Sequence, residues 1–247
     1  VLPICLGEGT KIIPFLKNSK TYIAEVYLGI ATTTEDREGE IVEQIEVTTP
    51  PSDEEIDAVL TKFIGTIKQI PPMYSAVKVK GKRLYEYARE NKTVERPERT
   101  VTIYDMKRLK REENKDNTKF FIEVNCSKGT YIRTLCVDIG KQLGYPAHMS
   151  YLLRTESDSI TITQLEKHVT ENRLDEIILP IERALEHLDV FQVSKSMKNR
   201  VLNGQKLTAR GVTIETNPFK VMYQYELLAI YEKQPQEMIK PVRVFQM

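Results

Sequence analysis

Residues 41–47 alternate Ile41, Glu43, Ile45 and Val47 on one side against Val42, Gln44 and Glu46 on the other. A period of two predicts a strand with two partly apolar faces. Residues 22–28 alternate more weakly but are rich in β-forming types, and Gly29 ends that strand. The polar run 32–39 between the two reads as a loop. Then the period changes. Ser52-Asp-Glu-Glu55 has the form of a capping box, and Ile56, Val59, Leu60 and Phe63 follow at helical spacing until Gly65. Pro71-Pro72 breaks the chain. Beyond it come a short strand at 74–79, a turn at Lys80-Gly81-Lys82 and a short helix at 84–89. Residues 101–109 and 120–126 predict an antiparallel pair joined by a polar tip at 112–118.

In the second half, Lys128-Gly-Thr-Tyr-Ile-Arg-Thr134 runs into a helix carried by Ile132, Leu135, Cys136, Ile139 and Leu143 and stopped by Gly144. Residues 149–154 predict a strand. Thr163-Gln-Leu-Glu166 reads as a second capping box, and 174–188 as an amphipathic helix interrupted or kinked by Pro180. Ser194 caps a short helix ending at Asn203-Gly204, and strand-like pieces follow at 212–214, 219–223, 227–231 and 242–245. The boundary is placed at Leu188-Asp189. That gives domains 1–188 and 189–247, the second small enough to fold alone only marginally. Strands and helices do not alternate as regular βαβ units. The expected class is α+β: a mixed, mostly antiparallel sheet flanked by helices, with a small β-rich C-terminal domain.

Hydrophobic residues make up 40% of the 247 and charged residues 29%, enough apolar matter for a core. The longest apolar runs, Ile177-Ile178-Leu179 and Leu227-Leu228-Ala229-Ile230, fall far short of a span of about 20 residues. No basic stretch leads an apolar one at the start, so no signal peptide is expected, and Val1-Leu-Pro-Ile-Cys-Leu-Gly7 reads as the inside of a fold. Cys5, Cys126 and Cys136 form no CxxC pair and are expected to be buried free thiols in a reducing cytoplasm. His148, His168 and His187 lack metal-ligand spacing. Phosphate loop, dinucleotide fingerprint, HExxH and serine nucleophile elbow are all missing, so cofactor, metal and nucleotide classes lose weight.

The net charge of +1 says little, but its distribution says more. Residues 31–60 carry ten acids and one base, net −9, and residues 78–111 carry twelve bases and five acids, net +7. That fits two solvated faces, or a localised phosphate-binding surface. The segment from Met73 to Arg89 interleaves tyrosines with lysines and arginines. Its tyrosines can stack on bases while its cations meet phosphates, or they can be partly core with solvated lysines around them. Lys128, Tyr131 and Arg133 lie near a predicted helix N-terminus, which favours an anion, though a plain capping segment has the same form.

Four blocks make the chain resemble the bacterial TruB family of tRNA pseudouridine-55 synthases. They are Val1-Leu-Pro-Ile-Cys-Leu-Gly-Glu-Gly-Thr-Lys11; Lys20-Thr-Tyr-Ile-Ala-Glu-Val-Tyr-Leu-Gly29; Gln69-Ile-Pro-Pro-Met-Tyr-Ser-Ala-Val-Lys78 with Gly81 and residues 84–89; and Cys126-Ser-Lys-Gly-Thr-Tyr-Ile-Arg-Thr134 with Ala147-His-Met-Ser-Tyr-Leu-Leu-Arg-Thr155. The resemblance implies isomerisation of a T-loop uridine of tRNA to its C-glycoside, without metal or cofactor, in the cytoplasm and by a monomer. The base must first leave its stack. By resemblance, Tyr22 stacks on the flipped base and is a candidate late proton acceptor. Arg133 pairs with the catalytic aspartate, Tyr131 lines the uracil pocket, Leu152 gives it an apolar wall, and Lys78 meets the substrate or its phosphates. The tail after Leu188 resembles the family's variable, often PUA-like, C-terminal domain.

One departure stands against these matches. The family's catalytic aspartate lies in a Gly-x-Leu-Asp-Pro loop ahead of the first block, and the 247 residues contain no such loop. Neither Asp36 nor Asp138 stands in that context, and Asp138 is expected to be a solvated or capping acid. The rival reading is therefore a non-catalytic RNA-binding or tRNA-folding protein. An unrelated sugar- or nucleotide-binding enzyme is disfavoured by the missing phosphate loop.

Overall fold

The computed structural model describes residues 1–110, 118–157 and 160–245. It divides into two compact units: Val1 with Asn18–Ile162, and Leu2–Lys17 with Thr163–Met247.

The first unit is a six-stranded sheet with helices on its apolar face. Its elements are β1 (Ser19–Leu28), β2 (Ile30–Thr32), β3 (Ile41–Gln44), α1 (Asp53–Thr61), β4 (Gly65–Gln69), β5 (Lys78–Val79), β6 (Lys82–Arg83), α2 (Leu84–Arg89), β7 (Arg99–Leu109), β8 (Lys119–Ser127), α3 (Ile132–Gln142), β9 (Ala147–Ser157) and β10 (Ile160–Thr161). The large sheet runs β10-β9-β1-β8-β7-β4, all antiparallel; β2–β3 and β5–β6 are separate hairpins. Both residues of the β5–β6 turn, Lys80 and Gly81, have positive φ, as a tight hairpin turn of that twist requires. The polar tip predicted at 112–118 lies outside the described residues apart from Thr118.

Local signals explain most of the helices. The capping box before α1 is formed: Ser52 Oγ accepts from Glu55 N–H at 3.2 Å, and Glu55 Oε2 accepts from Ser52 N–H at 2.7 Å. Ile56, Val59 and Leu60 then join the core made by Ala24, Val26 and Leu28 of β1, Ile122 and Val124 of β8, and Leu135, Cys136 and Ile139 of α3. Helix α3 lies close enough to β9 that a Cβ on Gly140 would sit 2.2 Å from Ala147 Cβ and 3.0 Å from Tyr145 O. Neither is the end of a flexible side chain. Gly140→Ala should therefore destabilise the first unit by about 1–3 kcal/mol, the overpacking cost exceeding the gain of up to about 1 kcal/mol in helix propensity. Denaturant titration checks this, and an unchanged or raised midpoint contradicts it.

The second unit holds α4 (Ile162–Thr170), whose first residue closes the first unit, then α5 (Ile181–Ala184), β11 (Val190–Gln192), α6 (Lys195–Leu202), β12 (Leu207–Thr208), β13 (Phe219–Tyr223), β14 (Glu226–Lys233) and β15 (Met238–Val244). Its sheet runs β11-β13-β14-β15-β12, with β11–β13 the parallel pair. Several expectations fail here. Thr163 lies inside α4 rather than capping it, because β10 passes directly into the helix. The helical stretch expected over 174–188 is interrupted at Pro180, one of the two outcomes expected there, but is shorter than expected: a 3-10 turn at Leu174–Ile177 and α5, with Pro180 as N-cap of the latter. Residues 212–214 take no place in the sheet, although Ile214 is buried. By packing, 2–17 and 163–188 group with the C-terminal strands: Ile12, Leu185 and Leu188 share a cluster with Leu227, Ile230 and Phe245. Leu2, Ile4 and Leu6, expected inside a fold, are exposed.

Candidate active site

The candidate site gathers at the N-terminus of α3. Ser127 ends β8, Gly129 turns the chain at φ +82°, and Thr130 Oγ1 donates to Ser127 O at 2.8 Å. Tyr131 is the extended N-cap, and its side chain makes no capping bond. Its backbone is held from elsewhere: Tyr131 N–H donates to Gln69 Oε1 at 3.0 Å, and Gln69 Nε2 donates to Tyr131 O at 3.3 Å.

Two residues on, Arg133 spans three acceptors. Nη1 donates to Thr34 O at 2.9 Å and to Asp36 Oδ2 at 3.0 Å, and Nη2 donates to Tyr74 O at 2.7 Å. Three of its five N–H donors are thereby used. Thr134 Oγ1 donates to Glu35 Oε2 at 2.7 Å. The loop 34–36 is thus clasped onto the first turn of α3, where two carboxylates face the positive end of the helix dipole. Burial pushes the Glu35 carboxyl up, while Thr134, Arg96 and Arg133 pull it down. Asp36 is itself oriented by Thr34 Oγ1 at 2.6 Å and by the Glu38 N–H at 3.1 Å.

Tyr22 sits on β1, opposite Val124 of β8 and Arg154 of β9, and packs against the core. Ala24, two residues along, pairs with Leu152. Partners in an antiparallel ladder share a face, so Tyr22, Leu152 and Arg154 lie on the same side of the sheet, with Ala24 and Val124. Helix α3 covers that side: its Leu135, Cys136 and Ile139 pack with Ala24 and Val26. Burial pushes the Tyr22 phenol above its ordinary range, and the hydrogen-bonded Arg154 beside it pulls the other way. Tyr22 is therefore a neutral ring at neutral pH, suited to stacking, with a cation at hand for a phenolate. Leu152 is 42% exposed, an apolar side chain left open to solvent on this face. Lys78 stands exposed on β5, four residues beyond the Tyr74 carbonyl that holds Arg133.

The pattern of residues alone missed Asp36, Glu35, Gln69 and Arg154. The adjacent acids Glu35-Asp36 in a threonine-rich run were the available signal, but they read as a solvated loop. Asp138, expected to be solvated, is half-buried, and burial raises its carboxyl against the pull of Lys141. Cys126 and Cys136 are buried as expected, with burial pushing the Cys126 thiol up to about 11, so neither is a ready nucleophile. Cys5 is only partly buried. Among the described residues no group of three or more His, Cys, Asp or Glu could hold a metal, and no helix is long and apolar enough to cross a membrane.

Sequence models of two families match. The TruB family pseudouridylate synthase N-terminal domain covers residues 1–132, and the tRNA pseudouridylate synthase B C-terminal domain covers residues 133–186. The chain belongs to the TruB family of pseudouridine synthases. It is 49% identical to tRNA pseudouridine synthase B of Oceanobacillus iheyensis over 255 aligned positions, spanning 99% of the chain and 84% of the relative. It is 46% identical to tRNA pseudouridine synthase B of Bacillus pumilus, over the same shares of each. Among solved structures, a chain of a Cbf5–Nop10–Gar1 complex superposes with a TM-score of 0.64 at 24% identity, covering 100% of this chain and 71% of that one. At that identity the likeness is one of fold. The family membership makes this a pseudouridine synthase with tRNA as its class of substrate.

Proposed function

We propose that the TruB-family site described above isomerises the T-loop uridine at position 55 of tRNA, with the nucleophilic aspartate supplied by a Gly-x-Leu-Asp-Pro loop that the 247 residues do not contain. The observation that carries this reading is the guanidinium of Arg133. Three fixed acceptors orient it, and two of its N–H donors are left for a second carboxylate. Such an arginine holds the incoming aspartate ionised and aimed. Tyr22 then stacks on the flipped uracil and takes a proton late in the reaction. Tyr131 and Leu152 wall the pocket, and Lys78 meets the backbone phosphates. The small C-terminal β unit acts as a PUA-like RNA-binding module, and the protein works as a cytoplasmic monomer. The test uses the chain extended by a segment carrying the loop: tRNA is incubated with it, cyanoethylated and mapped by mass spectrometry. Modification confined to position 55 is expected; modification elsewhere, with position 55 untouched, overturns the assignment.

A second reading covers the 247 residues by themselves. Without the loop they have no nucleophile, and what is left is an RNA-binding surface. The basic run 78–111 carries it. Lys80 and Arg83 are exposed, while Lys82 pairs with Glu90 and lies 5.0 Å over the Tyr87 ring. Arg83 and Arg89 sit 5.8 and 5.3 Å from the Tyr85 ring centroid, so that ring already carries cations and the surface acts more through charge than through open stacking. Neutralising Lys80, Lys82 and Arg83 together should weaken tRNA binding and reduce the slope of log K against log salt by about 2, since each lost phosphate contact removes roughly 0.7–0.9. Filter binding from 50 to 300 mM salt checks it. An unchanged slope moves the RNA surface elsewhere.

A further inference from the structure

We propose that Gln69 is a positioning residue for the uracil pocket, its side-chain amide setting the backbone of Tyr131 and through it the entry of α3. The proposal rests on the pocket role given to Tyr131 above. Gln69 is the last residue of the edge strand β4 and is only 2% exposed. Burying a neutral amide costs a few kcal/mol unless it is hydrogen-bonded, so a buried glutamine needs partners. Its partners come from a residue 62 positions away, which it grips at both polar atoms of the backbone. Chemistry fixes the orientation of the amide: an N–H only donates and a C=O only accepts, so Oε1 must face the first and Nε2 the second.

Tyr131 needs this help. As N-cap of α3 its N–H has no acceptor within the helix, and no side chain of the helix caps it. Its carbonyl already accepts from Leu135 N–H at 3.0 Å, and Gln69 adds a second donor. Only five residues after Gln69, the same segment delivers the Tyr74 carbonyl to Arg133. Between the two grips stand Pro71 and Pro72, both buried, whose rings restrict φ and stiffen the spacing. The segment 69–74 therefore holds Tyr131 and Arg133 as one piece, at two points. Leucine or methionine at 69 offers neither bond, and an ionised glutamate offers only the acceptor. A displacement of about 1 Å in a pocket wall is enough to cost on the order of 100-fold in rate.

Two measurements test this. The first is amide hydrogen exchange on the 247-residue chain, which needs no turnover. Gln69→Met should speed exchange at Tyr131 at least tenfold, with Ile122 and Val124 in the sheet centre unchanged. The second is kinetic, in the loop-bearing chain: Gln69→Met should lower the single-turnover rate about 10- to 100-fold with tRNA affinity within twofold. Adding it to Tyr131→Ala should cost less than it costs alone, because part of its effect acts through the Tyr131 ring. Gln69→Glu should be impaired at neutral pH and recover on acidification, because a protonated carboxyl again offers one donor and one acceptor; this variant also serves if Gln69→Met does not fold. Unchanged exchange at Tyr131, or losses that add in full to those of Tyr131→Ala, would overturn the proposal. Parent-like turnover by Tyr131→Ala would overturn the pocket reading beneath it, and the exchange data separate that failure from failure of the grip itself.

Discussion

Incubated with unmodified tRNA, the 247-residue chain should form no pseudouridine, while the same chain extended by a segment carrying the Gly-x-Leu-Asp-Pro loop should form it. The expected difference is at least about 10⁴-fold, because removing the nucleophile of a covalent mechanism is not made good by neighbouring groups. The carboxylates near α3 are poor substitutes. Asp36 is committed to Arg133 and Thr34, and Glu35 is tied to Thr134 in a buried setting that favours its neutral form. Replacing the loop aspartate by asparagine should return the extended chain to the level of the short one. Cyanoethylation followed by mass spectrometry reads both. Turnover by the 247 residues alone, at a rate near that of the extended chain, sinks the reading.

In the extended chain, Arg133→Ala should lower the single-turnover rate about 100- to 1000-fold, roughly 3–4 kcal/mol of transition-state stabilisation. Two effects combine. The incoming aspartate loses the charge that orients it, and Asp36 loses its partner and becomes a like charge nearby. Arg133→Lys should restore little, since an ammonium is a compact point charge that cannot span the Thr34 carbonyl, Asp36 and the Tyr74 carbonyl as a planar fork does. Tyr22→Leu should also reduce the rate, by the loss of a stacking face worth about 1–3 kcal/mol per base. Tyr22→Phe separates that face from the hydroxyl: it keeps the stack and loses only the proton acceptor beside Arg154. In all four, tRNA affinity should stay within a few-fold, because phosphate and shape contacts spread over many residues supply most of it. If affinity falls in parallel with rate, these residues do not hold the roles assigned to them.

What the chain declares about itself is mostly local. The capping box at Ser52, the turn at Lys80-Gly81, the helix at 84–89 and the strands around 22–28, 101–109 and 120–126 were all legible, because each depends on residues within one or two turns of one another. Strand β4 was not: five residues, three of them polar, occupy a sheet edge where one side faces solvent, so neither length nor alternation marks them. The expected strand at 212–214 failed because Ile214 is buried without its backbone joining a ladder. The helical stretch over 174–188 is interrupted at Pro180, which the sequence signalled, but only short pieces on either side of it are helical.

For the candidate site, motifs pointed to Tyr22, Tyr131, Arg133, Leu152 and Lys78 as residue types in blocks. The fold brings Tyr22 and Leu152 to one face of β1 and β9 and sets Tyr131 and Arg133 at the head of the helix covering that face, while Lys78 stands apart on a hairpin. The partners that give these side chains their chemistry were decided only by tertiary structure. Asp36 meets Arg133 across 97 positions, Glu35 meets Thr134 across 99, and Gln69 reaches Tyr131 across 62. Periodicity and capping signals act over a few residues, whereas a hydrogen bond between distant segments exists only after the sheet has paired and the helix has packed upon it. An acid in a threonine-rich loop therefore reads as solvated until the fold places a guanidinium 3.0 Å from it.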